Sequence, residues 1–502
     1  MADNIISLFD QAVQDCPDRI YMIENEKQIS YADVDQQVKR IANVLTGQGI
    51  LPGQTVAIML PNSISFGIAT LAVLKMGAVA APLNSNAPSP EIENQINDLN
   101  VAAVISSDSF LPLLEDAGVF KNCPVLFWSE SQDSNLSSKG MNLNQLMAEA
   151  SEDFDAWQPE QKNLALLLNT SGTTGKPKAV QLTHKNVIAM LQGLDGNFWQ
   201  LQEDDVLLQS APVNTIFAQS IFLGTIIAKA TLTILPRITP QSFMQVMMRD
   251  KVTFFPGVPM MAQMMMKAPP QVDPGLSSLR RVMLSGMALS LDLAMAFEER
   301  FGAKVLYGYG MTEAVPISKT NDLSGTPKGS VGKAAEGIEI SIIDENSNIL
   351  PAGQTGEILI KGPQVFTGYY NAPELNAAIL SNGWYHTGDA GYLDENGYLF
   401  LVDRVKDIIK TAGHTIYPAE VEAVLKEHPA IFQAAVVGKP HEGVGEVVQA
   451  FVVLKPESSA TAQEIIAFCK ERLAAQKCPR KIHFRDSLPM SPSGKVLKKD
   501  LV

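Results

Sequence analysis

An apolar run, Leu164-Ala165-Leu166-Leu167-Leu168, has the length and bounding of a buried strand, and it leads into Thr170-Ser171-Gly172-Thr173-Thr174-Gly175-Lys176-Pro177-Lys178. A strand ending in so many glycines, hydroxyls and ammonium groups restricts the fold to a sheet whose strand ends open onto a polar site. Glycine lets backbone N–H groups approach an anion closely, and the hydroxyls and lysines add donors and charge. The stretch reads as a cradle for a triphosphate. It is not a Walker loop, which needs Gly five residues before the Gly-Lys pair and Ser or Thr after it; those positions are Thr170 and Pro177. Proline there also disfavours an immediate helix. The plain alternative is a polar surface loop.

Around this stretch the pattern alternates helical segments with short apolar runs. Thr55–Met59, Ala78–Pro82 and Val101–Ile105 are examples, and Val252–Phe255 and Arg281–Leu284 continue the series. Such alternation predicts an α/β architecture with largely parallel strands. From Ile338 to Leu401 the texture becomes short alternating segments with turn signals at Asp344–Ser347 and Asp394–Gly397, which predicts hairpins. The expected organisation is a large N-terminal domain, 1–402, of two α/β subdomains plus a β-rich subdomain. A hinge at 403–406 follows, then a small mobile α+β domain, 407–502, with helical segments from Ala419 and from Ala462. Two methionine clusters, Met244–Met248 and Met260–Met266, suit either core filling or a pliable ligand surface.

A formal net charge of −14 argues against a general nucleic-acid binder, while leaving room for a local basic phosphate pocket. No segment has the apolar length of a membrane span, and the first residues carry no basic region or cleavage site. Cys16, Cys123, Cys469 and Cys478 lack metal-ligand spacing, so reduced thiols and a cytoplasmic location are expected.

Four later segments join the loop: Tyr307-Gly308-Tyr309-Gly310-Met311-Thr312-Glu313, Trp384-Tyr385-His386-Thr387-Gly388-Asp389, the stretch from Asp403 to Gly413, and Pro492-Ser493-Gly494-Lys495. With all five in this order, the chain resembles the adenylate-forming superfamily of acyl-CoA synthetases, luciferases and peptide-synthetase adenylation domains. The acyl-CoA synthetase and 4-coumarate-CoA ligase-like branch is the nearest match. The resemblance implies that a carboxylate attacks the α-phosphorus of ATP, pyrophosphate leaves with Mg²⁺, and the acyl-AMP is passed to CoA. Bringing two anions together calls for positioned positive charge rather than covalent catalysis.

Residue by residue, the resemblance implies that Lys495 bridges the carboxylate and the α-phosphate. Read without it, Lys495 is a solvated lysine beside Lys498 and Lys499. Glu313 is implied as the Mg²⁺ ligand, Thr312 as a phosphate contact and Tyr309 as the adenine platform, with Gly310 and Met311 alongside. A Thr-Glu pair by itself more often marks a helix start. Asp389 is implied as the acceptor of the ribose hydroxyls and Arg404 as their support. Lys406 matches the hinge across which the small domain exchanges one face for another. Lys410 and Gly413 then lie on the thioester-forming face, where a residue lacking Cβ leaves room for pantetheine.

The chain departs from its relatives at the acyl side. Asn214 and Thr215 stand where many acyl- and aryl-CoA ligases carry an aromatic residue and a histidine, followed by Phe217. Met287, in Ser285-Gly286-Met287-Ala288-Leu289, is bulky for its segment, and Gly310 completes the expected acyl pocket. Phe217-Ala218-Gln219-Ser220 has no aspartate for an α-ammonium, which would be costly to bury unpaired. The expected substrate is therefore a hydrophobic fatty or aryl acid without an α-amine. The acceptor is CoA; the alternative is a discrete acyl carrier protein, used by stand-alone acyl-AMP ligases that carry an insertion not evident between Glu313 and Asp389. No carrier domain is expected after Val502. A nucleotide-binding protein without catalysis is disfavoured because Lys495, Glu313 and Asp389 occur together, and no residue points to a luciferase-like oxidation.

Overall fold

The computed structural model describes residues 4–121, 123–128, 140–155, 157–170, 178–286, 289–411, 414–490 and 496–501. The chain folds into two compact units: Met1–Glu339 with Lys361–Tyr385, and Ile340–Ile360 with His386–Val502.

Among the described residues the first unit holds two sheets. One has the strand order Met141–Asn142, Val125–Trp128, Val101–Ser107, Thr55–Met59, Val79–Pro82, Leu164–Thr170 and Lys178–Thr183. Its pairs are parallel except the last, where Leu164–Thr170 turns back against Lys178–Thr183 as an antiparallel hairpin. Every residue of Thr55–Met59 is buried, as expected for a strand covered on both faces.

The other sheet runs Ser330–Ala334, Ala314–Thr320, Lys304–Met311, Arg281–Leu284, Phe254–Gly257, Val206–Gln209, Thr231–Ile234, Ile20–Glu24 and Lys27–Ser30. Its centre is parallel and both ends finish in antiparallel pairs. Two helices, Ile64–Lys75 and Ile216–Ala228, are apolar nearly all round and buried as a result. They meet closely at Gly67, where a Cβ would lie 2.9 Å from the sulfur of Met22 and 3.0 Å from the Phe222 ring.

Four strands, Glu339–Ile343, Gly356–Lys361, Trp384–Leu393 and Tyr398–Arg404, lie in that order, with most of their residues in the second unit. The turn carboxylates do what the sequence suggests. Asp344 accepts from the backbone of Asn346 and Asn348, and Asp394 from Asn396 and Tyr398. A further sheet of His414–Ile416, Ile409–Thr411, Gly445–Leu454 and Ile431–His441, with Lys481–Phe484 beside Gly445–Leu454, packs with helices Pro418–Glu427 and Ala462–Lys470 around Val436, Ala450 and Ile465.

The α/β reading holds, with local differences. The strand expected over Val252–Phe255 is Phe254–Gly257; Val252 instead buries its side chain in the core, where its N–H bonds back to Met247. The methionine clusters are mostly core filling. Met247 and Met265 are buried, Met244, Met248, Met261, Met264 and Met266 pack against them, and Met260 is exposed.

Candidate active site

The hairpin that carries the glycine-rich loop fixes both of the loop's ends. Thr170 and Lys178 face each other in register, and the Thr170 hydroxyl donates to the Lys178 carbonyl at 3.3 Å. Ser171, Gly172, Thr173, Thr174, Gly175, Lys176 and Pro177 lie outside the described residues.

Along the outer edge of Lys178–Thr183 runs the segment Thr367–Tyr370. Gln181 donates its N–H to Gly368 at 3.1 Å, and Tyr370 donates to Ala179 at 2.8 Å. Asn376 holds the Tyr369 backbone from both sides, accepting its N–H at 2.7 Å and donating to its carbonyl at 2.8 Å. Gly368 has φ +127° directly against the Asn376 side chain, a conformation that requires glycine.

This anchoring aims Tyr369 inward. Its hydroxyl donates to Glu313 Oε1 at 2.6 Å, and Lys178 Nζ lies 5.3 Å from the centre of its ring. Glu313 sits in the tight turn between Lys304–Met311 and Ala314–Thr320 and is only 9% exposed. That turn, rather than a helix N-terminus, is where the Thr312-Glu313 pair resides. The hairpin closes tightly because Gly308 has no Cβ, which would lie 2.6 Å from the Ser318 carbonyl. The Glu313 carbonyl accepts from Phe366 at 2.8 Å, and the Phe366 ring packs edge-on against Tyr369 and Tyr385, both at 5.0 Å. Burial, reinforced by Glu313 and Tyr369 and then Tyr309, holds the Tyr385 phenol well above its ordinary range, so it stays neutral.

The first unit thus brings Thr170, Lys178, Tyr309 and Glu313 into one neighbourhood. It adds Tyr369 and Tyr385, which the sequence reading did not single out. Gly310 is exposed, and Met311 and Thr312 are half-buried on the same turn.

A second group stands at the head of Ile216–Ala228. Thr215 caps this helix, accepting from Ala218 N–H at 3.2 Å and donating to Pro212 at 2.7 Å. Asn214 and Phe217 are half-buried beside it, and Met287 lies outside the described residues.

In the second unit Asp389 and Arg404 are paired across adjacent strands, Nε to Oδ1 at 2.7 Å, with Asp389 buried. The neighbouring Asp403 accepts from Arg404 N–H at 2.8 Å and from Ala419 N–H at 2.7 Å, tying the strand end to helix Pro418–Glu427. Lys406 is exposed on the short turn Val405–Asp407. Lys410 makes an exposed ion pair with Glu345 at 2.6 Å, an arrangement of small energetic worth. Gly413 and Lys495 lie outside the described residues.

Residues 9–370 match the family described as AMP-binding enzyme, and residues 420–495 match the one described as AMP-binding enzyme C-terminal domain. The chain belongs to the AMP-binding enzyme family. A 4-coumarate–CoA ligase of Nicotiana tabacum is 34% identical over 490 residues, covering 95% of this chain and 89% of that protein. A long-chain-fatty-acid–CoA ligase of Bacillus subtilis is 31% identical over 514 residues, covering 97% and 92%. Among solved structures, ATP-bound MatB from Rhodopseudomonas palustris superposes with a TM-score of 0.90 at 28% identity, over 100% of this chain and 98% of that one. This AMP-binding enzyme is an acid–CoA ligase: it uses ATP to convert a carboxylate into an acyl-AMP and then into a CoA thioester.

The Glu313 carboxylate suits a hard divalent cation such as Mg²⁺, which accepts one or two carboxylates together with phosphate oxygens. Among the described residues no group of three or more His, Cys, Asp and Glu side chains could cage a metal. No helix among the described residues is long and apolar enough to cross a membrane.

Proposed function

We propose that this AMP-binding enzyme activates a hydrophobic carboxylic acid, fatty or aryl, that lacks an α-amine, and transfers it to CoA. One observation carries the choice of acid. Helix Ile216–Ala228, headed by Asn214, Thr215 and Phe217, contains no charged residue, and the polar side chains of its first turns bond back onto nearby backbone. Gln219 donates to the Val213 carbonyl at 2.6 Å and Ser220 to Phe217 at 2.8 Å. An α-ammonium brought there would meet no counter-charge on this helix, and burying it unpaired is expensive.

In this reading Lys178 and the residues 170–176 bind the triphosphate, Tyr309 stacks on the adenine, and Gly310, Met311 and Thr312 line the nucleotide. Mg²⁺, held by Glu313 and the phosphates, supplies charge neutralisation when bound. Tyr369 keeps the Glu313 carboxylate in one orientation. Asp389 accepts the ribose hydroxyls, and Arg404, already paired with it, supports them. Lys495 holds the carboxylate against the α-phosphate. Lys406 serves as the hinge of a small C-terminal domain beginning near residue 407, and its turning brings Lys410 and Gly413 to the thioester step. We place the reaction in the cytoplasm, a reading supported by four cysteines that are all free thiols.

The test is pyrophosphate release from ATP and Mg²⁺ across a panel of fatty, aryl, dicarboxylic and amino acids, each with and without CoA. Turnover that requires a fatty or aryl acid and CoA supports the proposal. Best turnover with an amino acid overturns the substrate class, and CoA-indifferent release with accumulating acyl-AMP transfers the product to a carrier protein.

A further inference from the structure

Behind the head of helix Ile216–Ala228 lie three buried carboxamides from three different elements. Asn62 precedes helix Ile64–Lys75, Gln209 ends strand Val206–Gln209, and Gln219 is on the helix itself; they are 8%, 3% and 0% exposed. All three converge on the backbone of residues 211–213. The Ala211 carbonyl accepts from Gln209 at 2.8 Å and from Asn62 at 3.0 Å. The Val213 carbonyl accepts from Gln219 at 2.6 Å, and Val213 N–H donates to Asn62 at 3.2 Å.

The Oε1 atoms of Gln209 and Gln219 are buried with no hydrogen-bond partner, and an unpaired buried acceptor is costly. The space beside them, lined also by Met22, Phe66, Val213 and Phe222, is a cavity of about 10 Å³, room for one water molecule at most and far too small for an acyl chain. Gln219 and Gln209, 0% and 3% exposed, are closed off from solvent. What they do is fix, from inside, the three residues that lead into Asn214, Thr215 and Phe217.

We propose that Gln219, with Gln209 and Asn62, is a positioning residue for acid selection: it tethers segment 211–213 and through it the wall of the acyl site. The inference rests on the reading that Asn214, Thr215 and Phe217 face the acid. Gln219→Met, close in volume, exchanges one unpaired buried acceptor, Gln219 Oε1, for another, the Val213 carbonyl, so folding stability should hardly change. The tether is lost all the same. Gln209→Met should act more weakly, because Ala211 keeps its bond from Asn62.

The experiment measures KM for octanoate, for cinnamate and for ATP, together with the melting temperature, in the full-length wild-type, Gln219→Met, Gln209→Met and Phe217→Ala proteins. The expected result for Gln219→Met is a rise of about tenfold in KM for the acid, the worth of one hydrogen bond, with KM for ATP and the melting temperature unchanged. Gln209→Met should show the same pattern at smaller amplitude, and it carries the test if Gln219→Met does not fold. Equal changes in both KM values, or a loss of activity that tracks a fall in melting temperature, overturn the positioning role. If Phe217→Ala shifts acid KM but neither glutamine variant does, the tether is wrong and the acyl site stands. If Phe217→Ala leaves acid KM unchanged, the acyl-site reading itself fails.

Discussion

Replacing Tyr369 with phenylalanine removes a single oxygen and tests the core of the proposed nucleotide site. The ring would stay: its edge-on contact with Phe366 and the position of Lys178 5.3 Å from its centre need no hydroxyl. What disappears is the 2.6 Å bond to Glu313, a residue only 9% exposed. A hydrogen bond to a charged group is worth about 1.5–3 kcal/mol. If Tyr369 orients Glu313 for the adenylation transition state, that loss appears in the barrier as a fall of about tenfold to a hundredfold in rate. The assay is acid-dependent exchange of pyrophosphate into ATP, which reports adenylation alone, run beside thioester formation from supplied acyl-AMP. Exchange should drop and thioester formation should hold. An exchange rate within about twofold of wild type would refute the reasoning, since even the low end of that bond's worth predicts more.

Lys495→Ala should abolish acyl-AMP formation while sparing thioester formation from supplied acyl-AMP; equal loss of both steps would contradict a two-face enzyme. Gly413→Leu should do the reverse, and normal CoA turnover in that variant would move the pantetheine path elsewhere. Acid should loosen the N-terminal helix Ile5–Asp15. Burial lowers the His184 pKa from 6.5 to about 4, and its Nδ1 accepts the N–H of Ile5 at 3.4 Å, which a protonated ring cannot do. The unfolded chain then binds the proton more readily than the folded one. Stability is full above about pH 6.5 and falls as pH drops towards 4, by about 3 kcal/mol in all. Denaturant melts at stepped pH should show this slope, and His184→Gln should flatten it.

The sequence announced most of the fold because its buried strands are short apolar runs at regular spacing; Thr55–Met59 needs no tertiary information to be read. The stretch 170–178, Glu313 and Asp389 drew notice in the sequence because their residue types are informative in place. Tyr369 and Asn376 were invisible for the opposite reason. Their role exists only after segment 367–370 pairs with a strand far upstream, and neither Tyr369-Tyr370 nor Asn376 carries a local mark of that pairing. The Thr-Glu pair by itself more often marks a helix start, and only the tight return of Ala314–Thr320 against Lys304–Met311 decides for a turn. Gln209 and Gln219 did leave a signal. Gln209 closes an apolar strand and Gln219 sits in a largely apolar helix, a pattern that marks a buried polar contact without naming its partner.

The pairing of Lys178–Thr183 with Thr367–Tyr370 also has a consequence for synthesis. Gln181 and Gly368 are 187 residues apart, so the strand that follows the loop has one unfilled edge until that much more chain has left the ribosome. At 5–20 residues per second the wait is about 10–40 s. Through that interval the nascent protein displays an open strand carrying Lys178 at its start, a charge of the kind that discourages pairing with a neighbouring chain. Lys178, the lysine proposed to meet phosphate in the finished enzyme, thus stands guard over the same edge while the enzyme is still being made.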